Sequence, residues 1–304
     1  MKHFADRLLE AIEQKGSPIC VGLDPVLERL PESLRGGVSR GRAEDAVHAI
    51  EAFCNEVLRL VAPFTPCVKM QSACFERYLW PGLRTWQRLI AEARALDMLV
   101  IADVKRGDIG ASTEHYAAGC LAEPPYTDLG PLAGPDAVTV NPYMGADALE
   151  PFIRTAGEQG KGVFALVRTS NPGGERIQAV KTAAGPAVAD RVAELVAEMG
   201  DEPGLVGERG YSLLGAVVGA TAPADAARMR KLMPRQVFLV PGFGAQGGGA
   251  EDVRACFNAD GKGAIITASR SVIYAYQQQD TADWRSAIRR AAEQMAGEIQ
   301  KVVG

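Results

Sequence analysis

The feature that most constrains this chain is an alternation. Short apolar runs rich in β-branched residues recur along it, and each is followed by a stretch with helical spacing. Eight runs stand out: Pro18–Asp24, Pro66–Met70, Met98–Lys105, Ala137–Asn141, Gly162–Arg168, Leu213–Gly219, Val237–Pro241 and Ala264–Ala268. Most are apolar at successive positions, as expected of parallel strands covered on both faces. Arg42–Val61 carries Ala46, Val47, Ile50, Phe53, Val57 and Leu60, mostly three or four apart, which predicts an amphipathic helix. Arg84–Leu96, Thr113–Cys120, Ala146–Ala156, Arg176–Met199, Pro223–Leu232, Ala250–Asn258 and Thr281–Val303 fill the other gaps, and Phe4–Gln14 adds a helix in front of the first run.

Eight strand–helix pairs predict an α/β fold, a (β/α)8 TIM barrel. The 304 residues read as one domain, 1–304, with an extra N-terminal helix. Pro25–Gly41, Leu121–Pro135 and Gly200–Gly210 are long for connections and read as loop insertions. A doubly wound open sheet is the competing architecture, and it usually carries GxGxxG after its first strand. Here that place reads Val-Gly-Leu-Asp-Pro, while the GxGxxG at Gly242–Gly247 follows the seventh run.

Charge narrows the partners. The formal net charge is −4, and a weakly acidic chain lacks the basic face that sequence-independent nucleic-acid binding needs. No apolar run reaches the ~20 residues needed to span a membrane, and the first residues lead into amphipathic sequence rather than an apolar signal core. The six cysteines, at 20, 54, 67, 74, 120 and 256, form no CxxC pair. They read as small buried hydrophobes, and reduced thiols without a signal core point to the cytoplasm.

In a barrel the chemistry collects at the C-terminal strand ends. Those positions are Asp24, Lys69, Asp103 and Lys105 with Asp108, Asn141, Arg168 to Ser170, Thr221, Pro241 to Gln246, and Ser269-Arg270. Strand side chains alternate, so Asp103 and Lys105 share a face. Lys69 ends the previous run, within reach of the same mouth, and Asp108 lies in the turn beyond. Two lysines and two aspartates in one cavity form a nearly neutral network. Such a network could serve structure alone, but its place at the barrel mouth favours chemistry. A lysine held between carboxylates stays protonated and can donate a proton. An aspartate fixed beside a substrate carboxylate makes ionised substrate unfavourable.

The seventh run leads into Val-Pro-Gly-Phe-Gly-Ala-Gln-Gly-Gly-Gly, and the eighth ends in Thr-Ala-Ser-Arg-Ser. Barrel phosphate sites are frequently built from these two loops. Gln246 can donate through its amide, and Arg270 can grip two phosphate oxygens. His3, His48 and His115 avoid the strand ends, and no metal-ligand spacing is present.

Asp-Val-Lys-Arg-Gly-Asp-Ile at 103–109 resembles the DxKxxD signature of orotidine 5'-phosphate decarboxylase. The resemblance runs along nearly the whole chain. It includes Val-Gly-Leu-Asp-Pro (21–25), Val-Lys-Met-Gln (68–71), Thr-Val-Asn-Pro-Tyr-Met-Gly (139–145), Thr-Ser-Asn-Pro-Gly (169–173), Pro-Gly-Phe-Gly-Ala-Gln-Gly-Gly (241–248) and Ser-Arg-Ser (269–271). The long chain and the Asn-Pro-Tyr-Met-Gly segment are similar to the longer bacterial branch of that family.

The resemblance implies decarboxylation of orotidine 5'-monophosphate to uridine 5'-monophosphate in de novo pyrimidine biosynthesis, by a barrel homodimer with neither metal nor organic cofactor. It implies that Lys105 protonates C6, Asp103 faces the departing carboxylate, and Lys69 holds Asp103 and contacts the ribose. It puts Asp24 on the ribose hydroxyls, Ser170 on the pyrimidine amide, and Gln246 and Arg270 on the phosphate. Asp108 would enter the partner subunit's site, with Ser112 or Thr113 nearby. Two departures matter: Ile-Gly-Ala-Ser-Thr replaces the Ile-Pro-x-Thr common after the last aspartate, and Ser269 stands where glycine often precedes the arginine. The rival readings are a magnesium-dependent sugar-phosphate decarboxylase or aldolase using Glu76, a Schiff-base aldolase, and a non-catalytic nucleotide-binding protein.

Overall fold

The computed structural model describes residues 1–129, 132–219, 223–243, 249–278, 281 and 283–303. Eight parallel strands close into a barrel in the order β1 to β8. They are β1 (Ile19–Leu23), β2 (Cys67–Gln71), β3 (Leu99–Arg106), β4 (Ala137–Val140), β5 (Gly162–Arg168), β6 (Leu214–Val218), β7 (Phe238–Pro241) and β8 (Ala264–Ala268). Every expected run is a strand. The longer helices are α1 (Phe4–Lys15), α2 (Ala43–Val61), α3 (Leu79–Ala95), α4 (Gly110–Cys120), α5 (Glu150–Gln159), α6 (Val188–Gly200), α7 (Pro223–Leu232) and α8 (Trp284–Val303).

Three helical expectations need correction. Arg176–Met199 is not one helix: a short turn at Glu175–Gln178 is separated from α6 by a small antiparallel bridge, Lys181 to Ala187. Gly185 sits there at φ 101° and is followed by Pro186, and neither suits a helix interior. Ala146–Ala156 begins as a 3-10 turn, and α5 starts only at Glu150. Ala250–Asn258 shortens to Ala250–Val253 with a 3-10 turn after it.

The barrel interior is packed from below. On β5 the inward positions are Gly162, Phe164 and Leu166, of which Leu166 reaches the mouth cavity. Phe164 fills the middle. Its ring meets Phe4 of α1 edge-on at 5.9 Å, and a Cβ on Gly162 would lie 2.3 Å from the Phe4 ring. The extra helix therefore stoppers the N-terminal end of the barrel. Two of the long connections lie at that end. The amides of Glu208 and Arg209 donate to Asp6 of α1 at 3.0 and 2.9 Å, and buried Lys161 donates to the Leu121 carbonyl at 2.6 Å. The third insertion, 25–41, leaves β1 at the mouth. Tyr274 holds it there, accepting from the Val26 amide at 2.7 Å and donating to the Asp24 carbonyl at 3.2 Å.

Cys20, Cys54, Cys67 and Cys256 are buried, Cys74 and Cys120 are half-buried, and none forms a disulfide. Burial pushes the Cys256 and Cys120 thiols up to about 12, so both are inert near neutral pH. Among the described residues, no helix is long and apolar enough to cross a membrane.

Candidate active site

The C-terminal end of the barrel opens into a cavity of about 440 Å³. Its polar wall holds Asp24, Lys69, Asp103, Lys105, Ser170 and Arg270, and its apolar wall is made by Leu166, Val217 and Leu239.

Asp103 is the hub. Lys69 donates to its Oδ2 at 2.8 Å, and Lys105 donates to its Oδ1 at 2.5 Å. Thr139 of β4 adds the carboxylate's third bond, the second on Oδ1, at 2.8 Å. Burial alone would raise the carboxyl's pKa, but the two ammonium groups outweigh it and bring it down to about 2. Lys69 is also buried, which opposes its charge. Asp24, 3.7 Å away, and Asp103 reverse that and hold it protonated, above its ordinary 10.5. A Schiff-base role for Lys69, which needs the free amine, is disfavoured.

The local backbone explains how Asp103 and Lys105, two residues apart, come to face each other across one cavity. The alternation along β3 keeps Asp103 and Lys105 on the cavity side and turns Val104 toward a separate outer cleft. Between Ala102 and Arg106 the strand bulges, advancing four residues while β4 advances two. Lys105 sits at φ 44° within the bulge, a conformation that costs a non-glycine residue about 1–3 kcal/mol.

The expected residues divide as follows. Asp24, Lys69, Asp103, Lys105, Ser170 and Arg270 line one cavity. Asp108 does not: its carboxylate accepts from the Ile109 amide at 2.9 Å. Thr113 is buried with its hydroxyl on the Ala148 carbonyl at 3.3 Å, whereas Ser112 is exposed. Gln246 and Thr221 lie outside the described residues. Two other strand-end residues turn from the cavity. Asn141 caps its own 3-10 turn by accepting from the Tyr143 amide, and Arg168 pairs with Asp225 at 2.9 Å and with Glu175. Glu76 is tied to Arg106 in the outer cleft beside Trp86 and Cys120, and is not among the cavity residues. No group of three or more His, Cys, Asp or Glu residues is placed to hold a metal among the described residues.

Sequence reasoning missed Thr139, Gln71 and Thr267, which also line the cavity. Thr139 and Thr267 each stand one residue before the last residue of their strands, Val140 and Ala268, a position that could have been read from the runs.

Comparison with known proteins decides the family. The profile of the orotidine 5'-phosphate decarboxylase / HUMPS family matches residues 17–283. The chain belongs to this family. Orotidine 5'-phosphate decarboxylase of Rhodopirellula baltica is 42% identical over 99% of this chain and 100% of its own. That of Deinococcus radiodurans is 41% identical over 90% of this chain and 89% of its own. Among solved structures, the OMP decarboxylase of Leishmania donovani superposes with a TM-score of 0.74 at 29% identity, covering 99% of both chains.

Proposed function

We propose that this cavity converts orotidine 5'-monophosphate to uridine 5'-monophosphate and carbon dioxide. The observation that carries the reading is an ionised Asp103 clamped between Lys69 and Lys105 at the mouth of the barrel. The substrate carboxylate would be set against Asp103. The C6–carboxylate bond breaks, its electron pair stays on C6, and the Lys105 ammonium delivers a proton there, to be replaced from solvent. Fixed charges in a partly dry site suit this step, because they need no rearrangement as charge shifts. Lys69 and Asp24 would hold the ribose, and Ser170 the pyrimidine amide. Arg270 with Gln246 would hold the phosphate, whose remote binding energy offsets the cost of crowding at C6.

The protein would act as one catalytic domain in a homodimer. Asp108 is not among the residues that line its own cavity, and Ile109, Tyr143 and Met144 are exposed apolar side chains on the segments that follow β3 and β4. A second copy related by a two-fold axis would cover them and receive Asp108, with Ser112 accompanying it.

The test is the ultraviolet absorbance change on mixing the protein with orotidine 5'-monophosphate, with and without EDTA. Turnover that survives chelation is expected. Turnover abolished by EDTA and restored by magnesium would instead assign the cavity to a metal-dependent enzyme.

A further inference from the structure

Thr139 occupies a position no expectation assigned. It is fully enclosed on β4, between the two ends of the β3 bulge. Its hydroxyl makes two bonds of fixed direction. A backbone amide can only donate, so Oγ1 accepts from the Lys105 N–H, at 3.0 Å. An ionised carboxylate can only accept, so the hydroxyl proton goes to Asp103 Oδ1, at 2.8 Å. The Lys105 ammonium reaches that same oxygen at 2.5 Å. The result is a closed ring: Lys105 amide, Thr139 hydroxyl, Asp103 carboxylate, Lys105 ammonium.

We infer that Thr139 is a positioning residue, whose hydroxyl holds the Lys105 backbone in its left-handed conformation and thereby aims the ammonium from the shared Asp103 oxygen into the cavity. The bulge takes Lys105 out of register with β4, and the hydroxyl receives the amide there. Without it, the residue has less to keep it at φ 44°, and the long side chain gains freedom at its root. The inference rests on the decarboxylase reading for its kinetic consequence and on the ring alone for its structural one.

Two variants separate the hydroxyl from the methyl group. Thr139→Val keeps the shape and removes the hydroxyl, while Thr139→Ser does the reverse. Misplacing a reacting group by about 1 Å costs on the order of 10²-fold in rate, so Thr139→Val should lose about that much kcat with KM little changed. Thr139→Ser should recover most of it. A packing role predicts the opposite ranking, with Val near wild type and Ser impaired, and that ranking overturns the inference. The second measurement needs no reaction. Hydrogen–deuterium exchange at the Lys105 amide should speed up in Thr139→Val and return to the wild-type rate in Thr139→Ser. Unchanged exchange in Thr139→Val overturns the inference even if kcat falls. A wild-type protein that fails to turn over orotidine 5'-monophosphate refutes the decarboxylase reading instead, and exchange alone then decides the role of Thr139.

Discussion

The carboxylate of Asp103 sets the electrostatics of the site, and its behaviour with pH is predictable in sign. Its folded pKa, about 2, lies below the ordinary 3.8. Ionised Asp103 therefore contributes stability that is fully present above about pH 4 and disappears as pH falls toward 2, worth about 2 kcal/mol. Acid unfolding of wild type should be steeper across that window than that of Asp103→Asn, and identical slopes would contradict the clamp. Lys105 serves the reacting carbon and Arg270 the phosphate. Lys105→Ala should thus lower kcat by about 10³-fold or more while retaining affinity for uridine 5'-monophosphate; near-normal turnover refutes the role. The charges were legible in the sequence because Asp-Val-Lys places both on one strand face whatever the neighbours are. The place of Thr139 near its strand end was legible too, but its two bonds were not, because they depend on a bulge in another strand that no residue of β3 announces.

Between elements, the seam of β1 and β8 is close-packed beside the site. A Cβ on Gly22 would lie 1.9 Å from Ser269 Oγ and 2.9 Å from its Cβ. Ser269 thus takes the room that glycine leaves on the facing strand. Gly22→Ala should cost about 1–3 kcal/mol of stability through overpacking. Adding Ser269→Gly should recover most of it, a coupling that a double-mutant cycle of denaturation midpoints measures. Additive losses would mean that the two positions do not share this space. The strands were readable from sequence because a buried parallel strand is apolar at successive positions, and all eight runs are strands. Helix boundaries were less so. The break at 179–187 turns on Gly185 and Pro186, whose effect is local, while the apolar spacing around them continues. The loops at 121–135 and 200–210 could be seen to be long but not placed. What places them is contact with Lys161 and Asp6, distant in sequence.

For the whole molecule, the decisive question is whether one chain makes a complete site. A shared site makes a strong prediction for mixtures. Asp108→Ala and Lys105→Ala proteins, each inactive alone, should regain activity when subunits exchange, because each mixed dimer has one site free of both defects. If Asp108 serves its own chain, no mixture recovers. The fold adds a constraint of another kind. With Phe164 in the barrel and Phe4 stoppering its far end, the described residues leave the cavity closed on its floor. Carbon dioxide released beside Asp103 therefore finds no way out through the barrel floor and leaves, like the nucleotide, on the mouth side. Traffic in this enzyme is one-way in chemistry but two-way in space.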